Sequence, residues 1–488
     1  HKIKTLYASS GSIRQPAFSP DSKQLVFTVD NGSNGMGGFR ATSGLYTVAA
    51  KGGEATRIGA AASAPYFSGT GERIFFIRRA SKASTGRVTT LSSITVGGYD
   101  KQDHVQAVGP DRLEVKISPD GNWITFKEEG QYYVMPYRET GLLTSVSATA
   151  GSMPVTALTE GSGYNLGWSS DSQYIHWTRG DEFYRVAVAA LPKKNEAFPK
   201  PITRFGLQVP VDTPEGAVAF VGGQVITMEG DTVYAKGTVV VQGNRILAVG
   251  AEGDVSVPKN ATVIDTTGKT VMPGLIDMHG HIDCCYYGGL MPQKHSSHYA
   301  AAAFGITTNY DPYTSEISAY AATEMLQAGM LVGPRFISTG KVIYGRKGKG
   351  DVTYVPLNTY ADAQNTMSRK RALGGRVIKS YKQPSRRSRQ QLVKAGSEAG
   401  VMVDVEGESQ FYHNLSSILD GHMALEHNIP VATYYNDIVQ LFAHSGAANT
   451  PTLNVTFGEI MGENYLYQTS RAWEDPKIKA YVQDSNSR

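Results

Sequence analysis

The sequence predicts a multidomain protein in which β-propeller blades precede a small β-sandwich and a (β/α)8-type TIM barrel. Three observations support this fold class. The first two hundred residues contain a repeat, the next stretch has short β runs with Gly turns, and the remainder alternates β and α patterns. We place the domains at residues 1–205, 206–270 and 271–488. A chain of 488 residues that is 41% hydrophobic can bury the cores of two or three domains.

The repeat joins an aromatic or aliphatic residue, a serine, a turn and an alternating strand. Its aligned first residues are 49, 50 and 51 positions apart, and a period of this length is typical of propeller blades. An all-β sandwich is the alternative, but it requires coincidental spacing. The motif resembles the propellers of the Tol-system periplasmic protein and of oligopeptidases, so we expect about four blades, with others missing upstream. The copies are AFSPDSKQLVF (17–27), YFSGTGERIFF (66–76), KISPDGNWITF (116–126) and GWSSDSQYIHW (167–177).

A segment with five prolines, residues 191–216, marks the end of the repeats. The runs VAFVGGQVITM, GTVVVQGNRILAVG and ATVIDTTGKTVMPG follow it, and short β runs with Gly turns predict a small sandwich.

From residue 271 onward, strand patterns alternate with helix patterns. Helices are predicted near 295–304, 315–329, 359–373, 386–399 and 434–445, with another ending near 420. Alternation at this spacing implies parallel strands joined by right-handed crossovers, as in a (β/α) barrel. Seven barrel strands can be counted, so the barrel is expected to lack its last strand in this chain.

Several residues that could carry chemistry are predicted at strand ends. In GLIDMHGHID (274–283), alternation along a strand would point His279 and His281 to the same side. RVIKSY ends in Lys379 and Tyr381, VMVDVE ends in Asp404 and Glu406, and ALEHN ends in His427. Each has an ordinary structural explanation, such as a snorkelling lysine, a helix-capping acid or a core histidine. Because active sites of such barrels lie at the carboxyl ends of the strands, their convergence predicts a site.

The run GTVVVQGNRILAVG…VIDTTGKTVMPGLIDMHGH resembles the opening of the amidohydrolase superfamily, especially its imidazolonepropionase- and prolidase-like branch. The resemblance extends from about residue 217 to the end of the chain. Later runs, including IKSYKQPSRRSRQQL, look like a branch in which the barrel is fused behind a propeller. The resemblance implies a metal-dependent hydrolase of amide, imide or peptide bonds that uses metal-activated water.

The resemblance also implies one or two divalent metal ions, most readily zinc. His279 and His281 would bind the more buried ion and His427 the second, while Lys379, carboxylated on its amine, would bridge them. The family usually has histidine at the end of the fifth strand, whereas this chain has Glu406, whose oxygens could replace it. A harder ligand of this kind would tolerate Mn²⁺ or Fe²⁺ as well as Zn²⁺.

Further roles follow from position and resemblance. Lys379 and Tyr381 are the catalytic candidates, and Tyr381 and Arg387 would contact a substrate carboxylate. Asp277 or Asp283 would orient a histidine. The family's eighth strand supplies an Asp that has no counterpart here, so the alternative is a catalytically inactive propeller and barrel that binds partners or acts as a scaffold.

The composition limits the kinds of partner that this protein is expected to bind. The 47 basic and 43 acidic residues leave a formal charge of +4, which does not indicate a nucleic-acid partner. No apolar run approaches the ~20 residues that span a bilayer. The two cysteines, Cys284 and Cys285, are adjacent and do not indicate a disulfide framework. We expect a small-molecule or short peptide substrate, and a homo-oligomer or completion by missing chain segments. By resemblance, we expect a periplasmic or secreted bacterial protein.

Overall fold

In the computed structural model, the described residues between 12 and 271 form strands and no α-helix, and strands alternate with α-helices from residue 275 to residue 450. Asp283, Cys284 and Cys285 lie outside the described residues. The structure describes residues 4–9, 11–33, 37–38, 41–82, 86–108, 114–128, 130–149, 153–159, 163–193, 196–282, 295–345, 357–383, 385–407, 410–452 and 468–481.

Four successive sheets, each beginning at one copy of the repeat, form the region up to residue 204. Their strand orders are β1-β2-β5-β6, β7-β8-β9-β10-β14, β11-β12-β13-β15 and β16-β17-β18-β19, and β3 and β4 form a separate ribbon. The strands are β1 (Ser12–Phe18), β2 (Gln24–Asp30), β3 (Gly32–Ser33), β4 (Gly37–Gly38), β5 (Gly44–Ala49), β6 (Thr56–Gly59), β7 (Ser63–Phe67), β8 (Arg73–Lys82), β9 (Gly86–Thr95), β10 (Gln102–Val108), β11 (Val115–Ile117), β12 (Trp123–Glu128), β13 (Gln131–Pro136), β14 (Thr144–Ser145), β15 (Thr156–Ala157), β16 (Tyr164–Trp168), β17 (Tyr174–Arg179), β18 (Glu182–Ala187) and β19 (Thr203–Arg204).

The repeated serine stabilises the turn between the first two strands of each sheet. In the third copy, the Ser118 hydroxyl donates to Asp120 Oδ1 at 2.6 Å and accepts from the Trp123 backbone N–H at 3.0 Å. The serine side chain thereby bonds to backbone groups that a tight turn leaves without backbone partners. The equivalent serines of the other copies, Ser19, Ser68 and Ser169, also accept from the backbone N–H five residues later. The structure thus accounts for the repeat, while the propeller arrangement of the four sheets stays a prediction.

In the described residues the middle region is a single five-stranded sheet, and the predicted small β-sandwich stays a prediction. Strand β20 lies inside the sheet and pairs with β21 in antiparallel fashion and with β23 and β24 in parallel. Ile246 and Val263 are 70% and 58% exposed, so no second sheet covers them here. Alternating apolar runs predict strands, but tertiary pairing decides how strands divide into sheets. The strands are β20 (Ala217–Ile226), β21 (Val233–Gln242), β22 (Arg245–Ala251), β23 (Thr262–Asp265) and β24 (Thr270–Val271).

The C-terminal region consists of parallel strands joined by helices. Its strands form two sheets, β25-β26-β27 and β28-β29-β30-β31-β32. Each helix between residues 296 and 445 lies within a few residues of its predicted range. The elements are β25 (Leu275–Asp277), α1 (Ser296–Ala303), β26 (Ile306–Asp311), α2 (Glu316–Gln327), β27 (Arg335–Ser338), β28 (Ile343–Tyr344), α3 (Tyr360–Ala372), β29 (Val377–Tyr381), α4 (Arg386–Ala399), β30 (Met402–Glu406), α5 (Phe411–Leu419), β31 (Ala424–Glu426), α6 (Asn436–Ser445), β32 (Ala448–Thr450) and α7 (Pro476–Tyr481).

Local sequence signals begin and end these helices. Helix α4 begins after Ser385, whose hydroxyl accepts from the Ser388 N–H at 3.2 Å, and ends at Gly400, which has a left-handed φ of 65°. A cap of this kind stabilises a helix by about 1 kcal/mol. The apolar face of α4 includes Leu392, which packs with Ile378 and Val403 in one buried cluster. This packing holds the ends of β29 and β30 in place. None of the described helices is long and apolar enough to cross a membrane.

A buried ionic cluster joins the fourth N-terminal sheet to the C-terminal region. Glu316, at the start of α2, is 2% exposed and accepts from the Tyr164 hydroxyl of β16. The same carboxylate pairs with Arg369, at 2.8 Å, and with Lys370. Lys370 also donates to the carbonyl of Lys341 at 2.7 Å. Burial alone would raise the pKa of Glu316, but the two cations hold it well below its usual range.

Candidate metal centre

A cavity of about 220 Å³ lies where the strands of the C-terminal region end. All five predicted metal ligands line it, as does Tyr381. They come from the ends of four strands, β25, β29, β30 and β31, so the convergence predicted from strand ends is present in the structure. The lining residues are His279, His281, Tyr313, Val342, Lys379, Tyr381, Glu406 and His427.

The HxH motif follows β25 and is not part of the strand, which corrects the prediction of strand alternation. Strand β25 ends at Asp277, whose Oδ1 accepts from the His279 backbone N–H at 3.0 Å and turns the chain. Gly280 then donates to the Tyr310 carbonyl at 3.0 Å. The imidazole rings of His279 and His281 still face one cavity, with centroids 5.0 Å apart.

Each of the three histidines is oriented through Nδ1. His279 Nδ1 contacts Glu426, His281 Nδ1 lies 3.0 Å from Asp311 Oδ1, and His427 Nδ1 lies 2.8 Å from the Thr452 hydroxyl oxygen. An imidazole that donates Nδ1–H to a carboxylate keeps the Nε2 lone pair for a metal. Asp277, predicted to orient a ring, accepts only from the backbone of His279, and Glu426 and Asp311 take the orienting role. The predicted alternative, Asp283, lies outside the described residues.

Lys379, Glu406 and His427 form a continuous polar contact across the cavity. Lys379 Nζ lies 2.5 Å from Glu406 Oε2, and His427 Nε2 lies 3.2 Å from Glu406 Oε1. Burial would raise the pKa of Glu406, but hydrogen bonding from His427 and the charge of Lys379 lower it to about 2. Glu406 is therefore a carboxylate at neutral pH. His427 has a left-handed φ of 67°, an uncommon backbone conformation for a residue other than glycine.

The electrostatics of the site favour neutral imidazole at His279. Burial, followed by the charge of Lys379, lowers the pKa of His279 to about 4. Behind it, Asp404 accepts from the Tyr310 hydroxyl at 2.9 Å. Burial and the neighbouring charge of Glu426 raise the pKa of Asp404 well above its usual range. Asp404 is thus buried behind the cavity and does not line it.

The donor types fit a divalent metal ion. Three imidazole nitrogens and a carboxylate are the ligands that zinc prefers, and among the described residues Lys379 is the only further charged side chain that lines the cavity. Among the described residues, no three His, Cys, Asp or Glu side chains already stand at metal-binding geometry. The Lys379 ammonium pairs with the Glu406 carboxylate, the same carboxylate that would serve as a metal ligand.

Two sequence predictions about substrate contact have different outcomes. Tyr381 lines the cavity and its ring stacks on Tyr344 with centroids 5.2 Å apart. Arg387 is exposed in the first turn of α4 and does not line the cavity, so the prediction that it contacts substrate is not supported by its position. An arginine at a helix start points outward unless an acid or a cavity holds it, and tertiary packing determines which occurs.

Sequence reasoning missed four residues of this site. Tyr313 and Val342 line the cavity, and Glu426 and Asp311 orient histidines. Asp311 is the last residue of β26 and Glu426 the last of β31, so the strand-end rule would have found both. Tyr313 and Val342 lie in loops, where no local pattern indicates a direction for the side chain.

Gly280 makes a testable contribution to the site. A Cβ at this position would lie 2.1 Å from Asn309 Oδ1 and 2.5 Å from Asp277 Oδ2. We expect Gly280→Ala to displace the HxH turn, lower the unfolding free energy by about 1–3 kcal/mol and weaken metal binding about 10- to 100-fold. Thermal unfolding and zinc titration measure both effects. Gly59→Ala is the control, since its Cβ would meet Leu45 at an ordinary 3.6 Å. Equal zinc affinities for the two variants would contradict this account.

Comparisons with known proteins give short similarities to enzymes that act on carbon–nitrogen bonds. No family model matches the chain. A 64-residue stretch is 45% identical to a 5-methylthioadenosine/S-adenosylhomocysteine deaminase of Pelotomaculum thermopropionicum, covering 12% of this chain and 14% of that protein. A 74-residue stretch is 35% identical to an imidazolonepropionase of Alkaliphilus metalliredigens, covering 12% and 18%.

A solved Xaa-Pro dipeptidase structure with bound methionine is 20% identical, with 55% of this chain and 74% of that chain covered and a TM-score of 0.42. A similarity at this TM-score does not indicate a shared activity. The chain spans less than a fifth of the length of the curated relatives it matches. The relatives support the amidohydrolase resemblance in its coarse form, that of hydrolases acting on C–N bonds.

Proposed function

We propose that this protein is a metal-dependent hydrolase of amide, imide or peptide bonds. The observation that carries the proposal is the set of three histidines, each held through Nδ1, that face one cavity with Lys379 and Glu406. Such orientation is costly for a purely structural purpose, because it directs polar atoms toward a cavity and not toward protein partners.

The proposed ligand roles combine the family resemblance with the contacts around the cavity. His279, His281 and His427 would supply imidazole nitrogens, and Glu406 would supply oxygen. Lys379, buried and adjacent to Glu406, would become a bridging ligand once CO₂ carboxylates its amine, a reaction that requires loss of its proton. When bound, the metal would polarise the scissile carbonyl and activate water.

The remaining residues position these groups and the substrate. Glu426 and Asp311 fix the two rings of the HxH motif, and Tyr310 restrains Asp404 behind them. Tyr381, backed by its stacked neighbour Tyr344, forms an aromatic wall that would contact the substrate. No arginine lines the described cavity, so recognition of a substrate carboxylate is not part of the proposal.

Metal loading tests the proposal directly. We expect protein treated with a metal chelator to lose its activity on a panel of dipeptides and cyclic imides. Addition of one or two equivalents of Zn²⁺ or Mn²⁺ should restore the activity. His281→Ala should lower the bound metal and the rate. His444→Ala is the control, since His444 is exposed on α6. Stoichiometric metal without turnover on the panel would favour the inactive scaffold. Failure to bind metal would exclude both the proposed metal site and metal-dependent hydrolysis.

A further inference from the structure

A second and larger cavity lies among the N-terminal sheets, far along the chain from the metal ligands. Its volume is about 690 Å³, which is within the range of small-ligand sites. The turns of the second and third repeats, at Ser68 and Ser118, form part of its wall. The larger side chains that line this cavity include Tyr66, Phe75, Lys116, Tyr137, Trp168 and His176.

Lys116 brings a half-buried cation to this cavity. Its Nζ donates to the Leu166 carbonyl at 2.6 Å, which uses one of the three donors of an ammonium group. Glu114, two residues earlier, is engaged by Lys127 at 3.6 Å and by the Tyr132 hydroxyl at 2.9 Å. No ion pair joins Lys116 to a carboxylate in the described part of the chain. Burial lowers the pKa of Lys116, and the nearby charge of Glu114 only partly offsets this effect.

The walls around Lys116 are aromatic. Tyr66 and Phe75 stack with ring centroids 5.3 Å apart, and the Tyr66 hydroxyl accepts from the Ile117 N–H at 3.1 Å. On the other side, the Trp168 indole N–H donates to Thr125 at 3.1 Å, so its ring is fixed. These rings offer a rigid apolar surface beside the ammonium group.

Several other charges of the cavity rim already have partners. Arg73 pairs with Asp100 at 2.7 Å, and Glu139 lies 2.8 Å from His104 Nδ1. Asp120 is held by the Ser118 hydroxyl. Lys116 and Arg138 are the lining cations that pair with no carboxylate in the described part of the chain, so an anionic ligand can satisfy them without breaking an ion pair.

We propose that this cavity binds the C-terminal carboxylate of a peptide whose last residue is aromatic. Lys116 would pair with the carboxylate, and the side chain would pack between the Tyr66–Phe75 pair and Trp168. The backbone groups of the two repeat turns would face the peptide chain. This site is independent of the metal centre and of the proposed hydrolysis.

Calorimetric titration of the full chain with N-acetyl-Ala-Ala-Phe and with its C-terminal amide tests the proposal. We expect the free acid to bind about 10- to 100-fold more tightly than the amide, the usual effect of a hydrogen bond to a charged group. Lys116→Met should reduce the affinity of the acid to that of the amide, with hydrolysis at the metal centre unchanged. Lys23→Met, at the exposed turn of the first repeat, should leave both affinities unchanged.

Three outcomes would overturn the assignment. Equal affinities of acid and amide would remove the role of the carboxylate, and unchanged selectivity in Lys116→Met would make this lysine a structural residue only. Competition by inorganic phosphate at the same concentration as the peptide would indicate a general anion site. Should Lys116→Met fail to fold by circular dichroism, the comparison of acid and amide on the unaltered protein still decides.

Discussion

Lys379→Ala is expected to lower the hydrolysis rate by at least about 1,000-fold, because the proposed bridging ligand of the metal ions would be lost. The side chain is 3% exposed and lies against Glu406, so its removal also leaves that carboxylate without its cation. Bound metal, measured by mass spectrometry, should fall together with the rate. A lysine that served only to neutralise Glu406 would give a different result, since metal could then take over its charge.

Chemical rescue separates these two roles. A short carboxylate such as propionate can enter the space left by Lys379→Ala and supply the oxygens of the carboxylated amine. We expect partial recovery of the rate with propionate and none with propylamine. Lys394→Ala, on the exposed face of α4 with its side chain 67% exposed, serves as the control and should keep full activity. Recovery with the amine alone would show that charge, and not carboxylation, is what Lys379 contributes.

Glu316→Gln is expected to lower the unfolding free energy by about 3–5 kcal/mol, the usual cost of breaking a buried ion pair. The substitution keeps the shape of the side chain but leaves Arg369 and Lys370 buried without their shared anion. Burial, only partly offset by Glu316, already lowers the pKa of Lys370 to about 8. Thermal and urea unfolding followed by circular dichroism measure the effect.

Two further variants identify the cause of that loss. Tyr164→Phe removes the hydrogen bond from the N-terminal sheet but keeps both cations paired, so we expect the unfolding free energy to fall by about 1 kcal/mol. Glu474→Gln removes an exposed pair with Arg471 and should change stability by less than about 0.5 kcal/mol. A loss for Glu316→Gln no larger than that for Glu474→Gln would show that the cluster does not stabilise the fold.

The convergence of the candidate ligands on one cavity was largely predictable, because these residues occupy strand ends. His279, Lys379, Glu406 and His427 each follow or end an apolar run, and parallel strands bring such positions to one edge. Their partners were less predictable. Thr452 reaches His427 from a segment 25 residues away, and nothing in its neighbours indicates that contact.

The secondary structure was predictable where periodicity and caps agree. Helix α4 occupies residues 386–399 as predicted, between a serine cap and a glycine stop. The single sheet of residues 217–271 was not predictable, because alternation describes one strand at a time and contains no information about which edges pair. Arg387 shows the same limit for a side chain, since its residue type suited the site but its position did not.

From the sequence alone came the elements, the repeat and its serine turns, and the identities of the candidate metal ligands, all of which depend on neighbours close along the chain. Only tertiary packing decided which nitrogen of each histidine faces the cavity, which carboxylates stay ionised, and how Tyr164 meets Glu316. Those features depend on distances between residues remote in sequence and on their burial, and a charge or a lone pair acquires its chemistry from such surroundings.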